Sequence, residues 1–476
     1  MISPFWQTTL AIVWVVYLVG LVLWIILQKR SPAATVSWVL SLALLPIVGY
    51  LIYYFFGPQR LKRFRLRRLR SRVALALQTE AAQGGERGHE IPDSVRGMAR
   101  LGEATCDNPL STADNVDLLV DGAQTFDAIF AAIRDARHHV HLEYYIFATD
   151  KIGTAMRDLL TQKAREGVTV RLLIDALGSV YAGRRFFAPF IQAGGHLAFF
   201  HDTRIGRRIR PVINFRTHRK IVVCDGKVGF VGGLNITDDE DERTNPAAYH
   251  DVHLRITGGA ARWLQMVFLE DWVYTAGNGR IPVDHSGELM PQCAPGKHYV
   301  QILHSGPNDE REAIHRVMVA AIANAVRRVW LTTPYFVPSH PAMMSLTSAA
   351  MRGVDVRLLV PRRSDSLFVS AAARSYFDEL IAAGVKVWEY RDRMLHSKTL
   401  VVDDAQSFVG TANFDNRSFK LNYEVCALVY GPALAARLAR QFESDLAGAV
   451  RVPAHRKVSV GRRLFDASAR LFSPIL

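Results

Sequence analysis

His218-Arg219-Lys220-Ile221-Val222-Val223-Cys224-Asp225 leads, across six residues, into Gly232-Gly233-Leu234-Asn235. The same pattern returns as His396-Ser397-Lys398-Thr399-Leu400-Val401-Val402-Asp403, followed by Gly410-Thr411-Ala412-Asn413. His, Lys, Asp, the leading Gly and Asn each recur at an offset of 178, and Phe230-Val231 and Phe408-Val409 match at that offset too. One HxKx4D arises by chance now and then; two in register with the same Gly/Asn tail do not. The chain carries a duplicated unit.

Around each copy, short apolar runs alternate with helical patterns. Strands are expected over 116–120, 139–147 and 168–176, with helices over 123–137, 152–165 and 184–193. After a Gly/Pro-rich stretch the order restarts, with strands over 300–303, 328–333, 354–360 and 385–390 and helices over 310–325, 341–352 and 366–383. This alternation reads as α/β. The expected organisation is a first domain over 110–275, a linker over 276–297 and a second domain over 298–455.

Side chains on a strand alternate faces, so each His-Lys pair points one way. If the halves pack about a pseudo-two-fold axis, two imidazoles, two ammonium groups and the Asn235 and Asn413 amides meet across one cleft, without a metal-ligand set. That suits a phosphodiester: Lys and Asn hold the non-bridging oxygens, one His attacks phosphorus and the other protonates the leaving alcohol. No cofactor is implied.

Asp225 and Asp403 belong to the motif and are carried with His218, Lys220, His396 and Lys398 as catalytic candidates. Asp225-Gly226 between apolar runs is nonetheless a tight-turn signal, and Asp403-Asp404 occupies the same place. Asp251, 33 residues after His218, and Glu424, 28 after His396, are better placed to orient the imidazoles and fix their tautomers. His139, His141, His201, His253 and His304 show no ligand spacing and read as core or surface residues, with His304 also a candidate for lining the cleft.

The formal net charge is +14, yet residues 1–79 contain no acidic residue and hold ten basic ones, leaving +4 for the other 397. Residues 8–27 and 33–56 are uncharged and apolar, each long enough to cross a bilayer. A membrane hairpin over 1–58 is expected. The Arg-rich run 60–72 that follows, interleaved with Leu61, Phe64, Leu66 and Leu69, is expected to lie on anionic headgroups within a surface helix and linker over 59–109. The positive-inside rule puts that run and the body in the cytoplasm. The segment 456–476 alternates basic and apolar residues and is expected either to dock on the same leaflet or to pack on the body. A nucleic-acid partner is disfavoured, because the body is nearly neutral. Four widely spaced cysteines exclude a disulfide framework or a zinc site and fit free thiols.

With these residues in view, the chain resembles the phospholipase D superfamily, and within it the bacterial cardiolipin synthases. Asn214-Phe215-Arg216-Thr217, Asp251-Val252-His253-Leu254-Arg255, Thr333-Pro334-Tyr335-Phe336-Val337-Pro338, Asn416-Arg417-Ser418-Phe419, Asn422-Tyr423-Glu424 and the closing Ser473-Pro474-Ile475-Leu476 add to the likeness. One departure is Gly233, where many superfamily members have Ser. The resemblance implies duplicated phospholipase D-like domains, mixed sheets flanked by helices, behind a two-helix transmembrane hairpin. It also implies transfer of a phosphatidyl group between two phosphatidylglycerol molecules through a phosphohistidine, releasing glycerol. His218 would then be the nucleophile and His396 the general acid. The alternative is a related transferase or hydrolase with another donor, such as phosphatidylethanolamine. A same-superfamily nuclease and a non-catalytic scaffold fit less well. Oligomerisation is left open.

Overall fold

The computed structural model describes residues 4–27, 32–44, 92–202, 214–276 and 289–473. They fall into two units. The first holds the helices Pro4–Ile26 and Pro32–Leu44, which meet where Ile25 and Leu42 are buried against Leu21, Trp38 and Val39. Among the described residues only Pro4–Ile26 is long and apolar enough to cross a membrane. The rest of the expected second span and the 60–72 basic run lie outside the described residues.

The second unit contains both motif copies. Its first sheet has seven strands in the spatial order Asn115–Val120, Val252–Thr257, Val228–Gly232, Ile221–Cys224, His139–Tyr144, Thr169–Asp175, His196–Phe200. The second sheet repeats that order with His298–Ser305, Glu424–Tyr430, Gln406–Gly410, Thr399–Val402, Arg328–Thr332, Asp355–Pro361 and Lys386–Tyr390. In each, the motif strand pairs antiparallel with the first strand of a parallel trio. Helices cover the outer face of each sheet. Between the inner faces lies a shared core in which Ile221, Val223, Leu254 and Ile256 of one half face Ile302, Val401, Val409 and Ala427 of the other. Burial of this apolar surface joins the halves into one body.

The expected boundary at 110 needs correcting. Ser111–Ala113 forms the edge of the second half's sheet, with Ser111 opposite Val300. Upstream of it, Asp93–Cys106 is a helix, not linker: Val95, Met98 and Cys106 enter the second half's core. Gln301 Nε2 donates to the carbonyls of Ala99 (2.9 Å) and Asn108 (3.0 Å), tying helix to sheet. The physical reason is amphipathicity: buried positions 95, 98, 99, 102, 105 and 106 follow the helical period. At the other end, Ala449–Arg451 adds an edge strand, and Val460–Arg470 is a helix packed on Leu367–Ser375.

Candidate active site

Both motif strands begin one residue after the lysine, at Ile221 and Thr399, so each His-Lys pair sits on the segment entering a strand. Those segments cross between the halves. The His218 amide donates to the Tyr423 carbonyl (2.9 Å), and the His396 amide donates to the His250 carbonyl (2.8 Å). Thr217 and Tyr423 form one parallel bridge; His250 and Leu395 form the other. Buried Arg219 locks the first crossing, reaching Asp271 and the carbonyls of Glu424 and Ser305. Each histidine is therefore set against the carboxylate that follows the other motif.

His218 Nδ1 lies 3.1 Å from both Glu424 oxygens and 3.1 Å from the Thr411 carbonyl. Carbonyl and carboxylate only accept, so Nδ1 carries the hydrogen and Nε2 holds a lone pair. Glu424 is wholly buried but also accepts from Thr411 Oγ1 (2.5 Å) and Asn422 Nδ2 (3.2 Å). Burial pushes its pKa up; the His218 ring, Lys220 and Thr411 outweigh this and bring it below the ordinary value. Burial also holds His218 down at about 4, only partly offset by Glu424, so the ring is neutral at physiological pH.

His396 Nδ1 is 2.7 Å from Asp251 Oδ2. Among the described residues no hydroxyl donates to Asp251, because Gly233 stands where the second half has Thr411. A Cβ on Gly233 would fall 2.1 Å from the carboxylate, so glycine makes the room that Asp251 occupies. Burial raises Asp251 to about 7, although Lys398 pulls the other way, and burial beside Lys398 depresses His396. Below about pH 7 the couple holds one proton. Whether it sits on Asp251 or on the imidazole, Nε2 of His396 also bears a hydrogen.

Glu240 was not singled out from the sequence. It is wholly buried, 3.6 Å from His396 Nδ1, and accepts from the Asn235 amide nitrogens of backbone (3.2 Å) and side chain (3.1 Å). Its equivalent 178 residues on is Ser418, whose Oγ accepts from the Asn413 backbone (3.1 Å). The second carboxylate thus belongs to the His396 side alone. No periodicity marks Glu240, and the uncharged Ser418 at the equivalent place keeps the duplication from pointing to it.

Lys220 and Lys398 are buried and donate back to the carbonyls of His218 and His396. Burial brings Lys220 down to about 7 and depresses Lys398 as well. Both press on the histidines electrostatically. Tyr145 stacks edge-on 5.3 Å from His218, and Tyr249 lies 5.5 Å from His396. The Asn235 amide is engaged by Glu240 and by the Ile146 N–H (3.3 Å), whereas Asn413 Oδ1 is buried without a hydrogen-bond partner among the described residues.

Asp225 and Asp403 stand apart from this cluster, at the far ends of their strands. Asp225 accepts from the amides of Arg137, His138 and His139 (2.8–2.9 Å), and Asp403 from those of Val326, Arg327 and Arg328. Both adopt φ +53°, the turn conformation. Their inclusion with the catalytic residues is corrected: they clasp the turn to the neighbouring strand. His304 also turns away, Nε2 meeting the Cys106 carbonyl at 3.1 Å.

Glu240, Asp251 and His396 offer ligand atoms within 4.8 Å of one another, a set able to hold a cation. Lys398 Nζ, 3.9 Å from Asp251, already places positive charge there.

With this geometry in hand, comparison with known proteins is informative. The family profile described as "Cardiolipin synthase, PLD-like domain" matches residues 129–253 and 318–446, one match per motif. "Cardiolipin synthase 1" of Bacillus anthracis is 37% identical over 98% of this chain and 94% of its own. "Cardiolipin synthase" of Geobacillus kaustophilus is 39% identical over 94% of this chain and 90% of its own. Among solved structures, phosphatidylserine synthase of Haemophilus influenzae matches 80% of this chain and all of its own with a TM-score of 0.61; at 16% identity that likeness concerns the fold.

Proposed function

The chain belongs to the cardiolipin synthases, phosphatidyltransferases with two phospholipase D-like domains, and on that premise we propose that it joins two phosphatidylglycerol molecules into cardiolipin and glycerol. The observation that carries the reading is the crossed pair of His–carboxylate couples, each with Nδ1 engaged and Nε2 left for the reacting atoms.

In the first step His218 Nε2 attacks phosphorus of one phosphatidylglycerol. The P–O bond to the headgroup glycerol breaks, and the hydrogen on His396 Nε2 passes to the departing oxygen. A phosphatidyl group is then held on His218 by a P–N bond. In the second step the terminal hydroxyl of another phosphatidylglycerol gives its proton to His396 Nε2 and its oxygen attacks phosphorus. The P–N bond breaks and both histidines return to their starting states. Lys220 and Lys398 take up the phosphate's negative charge, which also favours their protonated forms and that of the His396 couple.

The unequal couples support these roles. Ionised Glu424 accepts from His218 and leaves it a bare, nucleophilic Nε2. The Asp251 couple keeps the extra proton that an acid needs. The apolar helix Pro4–Ile26 and the apolar run after it support a two-span anchor, with the body on the cytoplasmic side of a bacterial inner membrane.

The test is to incubate the full-length protein, reconstituted with phosphatidylglycerol, and measure products. Cardiolipin and glycerol in equal amounts, unchanged by chelator, are expected. Phosphatidic acid as the main product would make the protein a hydrolase, and turnover only with phosphatidylethanolamine added would change the donor.

A further inference from the structure

Two loops approach the histidines, one from each half, and both follow the second strand of a parallel trio: Thr169–Asp175 in the first half, Asp355–Pro361 in the second. The first loop is built from below. Asp175 accepts from the amides of Leu177 and Gly178, and Ser179 Oγ bridges the Tyr145 carbonyl and the Phe147 amide. Its anchor, Tyr145, is the residue whose ring meets His218. Above that anchor Leu177, Val180 and Tyr181 project outward, Tyr181 86% exposed.

The second loop is fixed by Asp365, which accepts from Tyr335 (2.6 Å) and lies close enough to Lys398, Tyr249 and Tyr145 to bias their charge. Two residues later Leu367 and Phe368 are exposed, Leu367 at 78%. Phe368 touches Phe465 of the helix Val460–Arg470, with ring centroids 6.0 Å apart. That helix buries Asp466 and Ala469 against the body, held by Arg374–Asp466 and Tyr376–Ser473 contacts, and leaves Leu464, Phe465, Leu471 and Phe472 exposed. The helix thus packs on the body and still presents an apolar face.

Charge on these segments is one-sided. Arg184, Arg185, Arg362, Arg363, Arg462 and Arg463 are exposed among the apolar side chains. The acids present are Asp365, bonded to Tyr335, and Asp466, buried with its arginine partners. Apolar side chains ringed by arginines complement an anionic bilayer, whose headgroups meet the guanidinium groups while the apolar residues enter the acyl boundary.

We propose that this rim is a bilayer-docking face: Tyr181 and its neighbours from one half, and Leu367, Phe368 and the Val460–Arg470 helix from the other, seat the cleft on anionic phospholipid. A headgroup phosphate then reaches His218 and His396 while its acyl chains stay in the membrane. The inference rests on the phosphatidyl-transfer reading above and adds the route by which substrate arrives.

The test uses the full-length protein in proteoliposomes, with Tyr181→Asp, Phe368→Asp and Phe465→Asp combined. Turnover of long-chain phosphatidylglycerol in the bilayer should fall at least about tenfold, with dihexanoyl phosphatidylglycerol supplied as a soluble monomer turned over within about twofold of wild type. In parallel, bimane on Tyr181→Cys or Phe368→Cys, in a Cys293→Ser background, should be quenched by doxyl-labelled lipid. Bimane on Val326→Cys should not be: Val326 is as exposed, but lies beside Asp403 at the opposite end of the sheet. Equal loss on both substrates, loss on neither, or equal quenching at 326 would overturn docking. Absence of wild-type turnover on either substrate would instead overturn the transferase reading.

Discussion

His218 meets Glu424, which against burial the His218 ring, Lys220 and the Thr411 hydroxyl hold below its ordinary value, whereas His396 meets Asp251, which faces a glycine and has Glu240 close by. The backbone around the two rings is nearly the same and the motif residues are identical, so the fold by itself would make them interchangeable. The difference lies in neighbours outside the motif: a longer carboxylate with a hydroxyl donor on one side, a shorter one with a second carboxylate on the other. In the proposed mechanism, one environment leaves its histidine's Nε2 bare and the other keeps a hydrogen there, so that a handful of side chains would give a duplicated scaffold its direction.

Removing either carboxylate's charge tests this contrast most severely. Asp251→Asn should cost about 10³-fold in kcat, and Glu424→Gln about 10²-fold, the range of general acid–base contributions. The wild-type kcat/KM should fall as pH rises through about 7, where the Asp251–His396 couple loses its proton in the empty site. Lys220, brought to about 7 as well, adds to that limb, so Asp251→Asn should leave one ionisation where the wild type has two, while Glu424→Gln should keep both. If the limb followed Glu424 instead, the roles would be reversed.

Glu240→Gln keeps the hydrogen bond to Asn235 but removes the negative charge near His396. A roughly tenfold fall in kcat, KM unchanged and the alkaline limb shifted to lower pH are expected, since one fewer carboxylate favours the imidazolium less. Ser418→Ala, at the equivalent place in the other half, should leave the limb where it is.

A smaller effect concerns stability at the seam between the halves. His250 bridges Asp121 (2.6 Å) and Asp445 (2.8 Å), and although burial opposes it, these acids raise its pKa to about 10. A raised value stabilises the fold fully below the unfolded value near 6.5 and progressively less as pH climbs through 10. The wild type should therefore exceed His250→Gln in Tm by several degrees at pH 6, corresponding to a few kcal/mol. The gap should close toward pH 10.

Smallest of all on chemistry should be Asp225→Ala and Asp403→Ala. Each leaves backbone amides without their acceptor and should cost about 1–3 kcal/mol of stability, seen in denaturant melts. The pH profile of the remaining folded enzyme should stay put. A changed profile would return these aspartates to the reacting set.

Much of this is legible in the sequence. The 178-residue offset announces two equal halves, and His218, Lys220, His396 and Lys398 do converge. Asp251 and Glu424 read as partners of the histidines, but their exchange between halves does not show, because sequence distance pairs each with the nearer motif. The crossing depends on the Thr217–Tyr423 and His250–Leu395 bridges, which join residues more than a hundred positions apart. Glu240 escaped because its partner Ser418 differs in charge, hiding the equivalence. The helix Asp93–Cys106 is masked by the Gly-rich stretch before it, although its apolar residues follow the helical period.

The most direct measurement is a rapid alkaline quench of the full-length protein with phosphatidylglycerol labelled in its phosphatidyl moiety, followed by mapping of the modified histidine. Label should sit on His218, be lost in His218→Asn, and form slowly but at the same position in His396→Asn. Label on His396, with none on His218, would mean that the Asp251 couple supplies the nucleophile, not the acid.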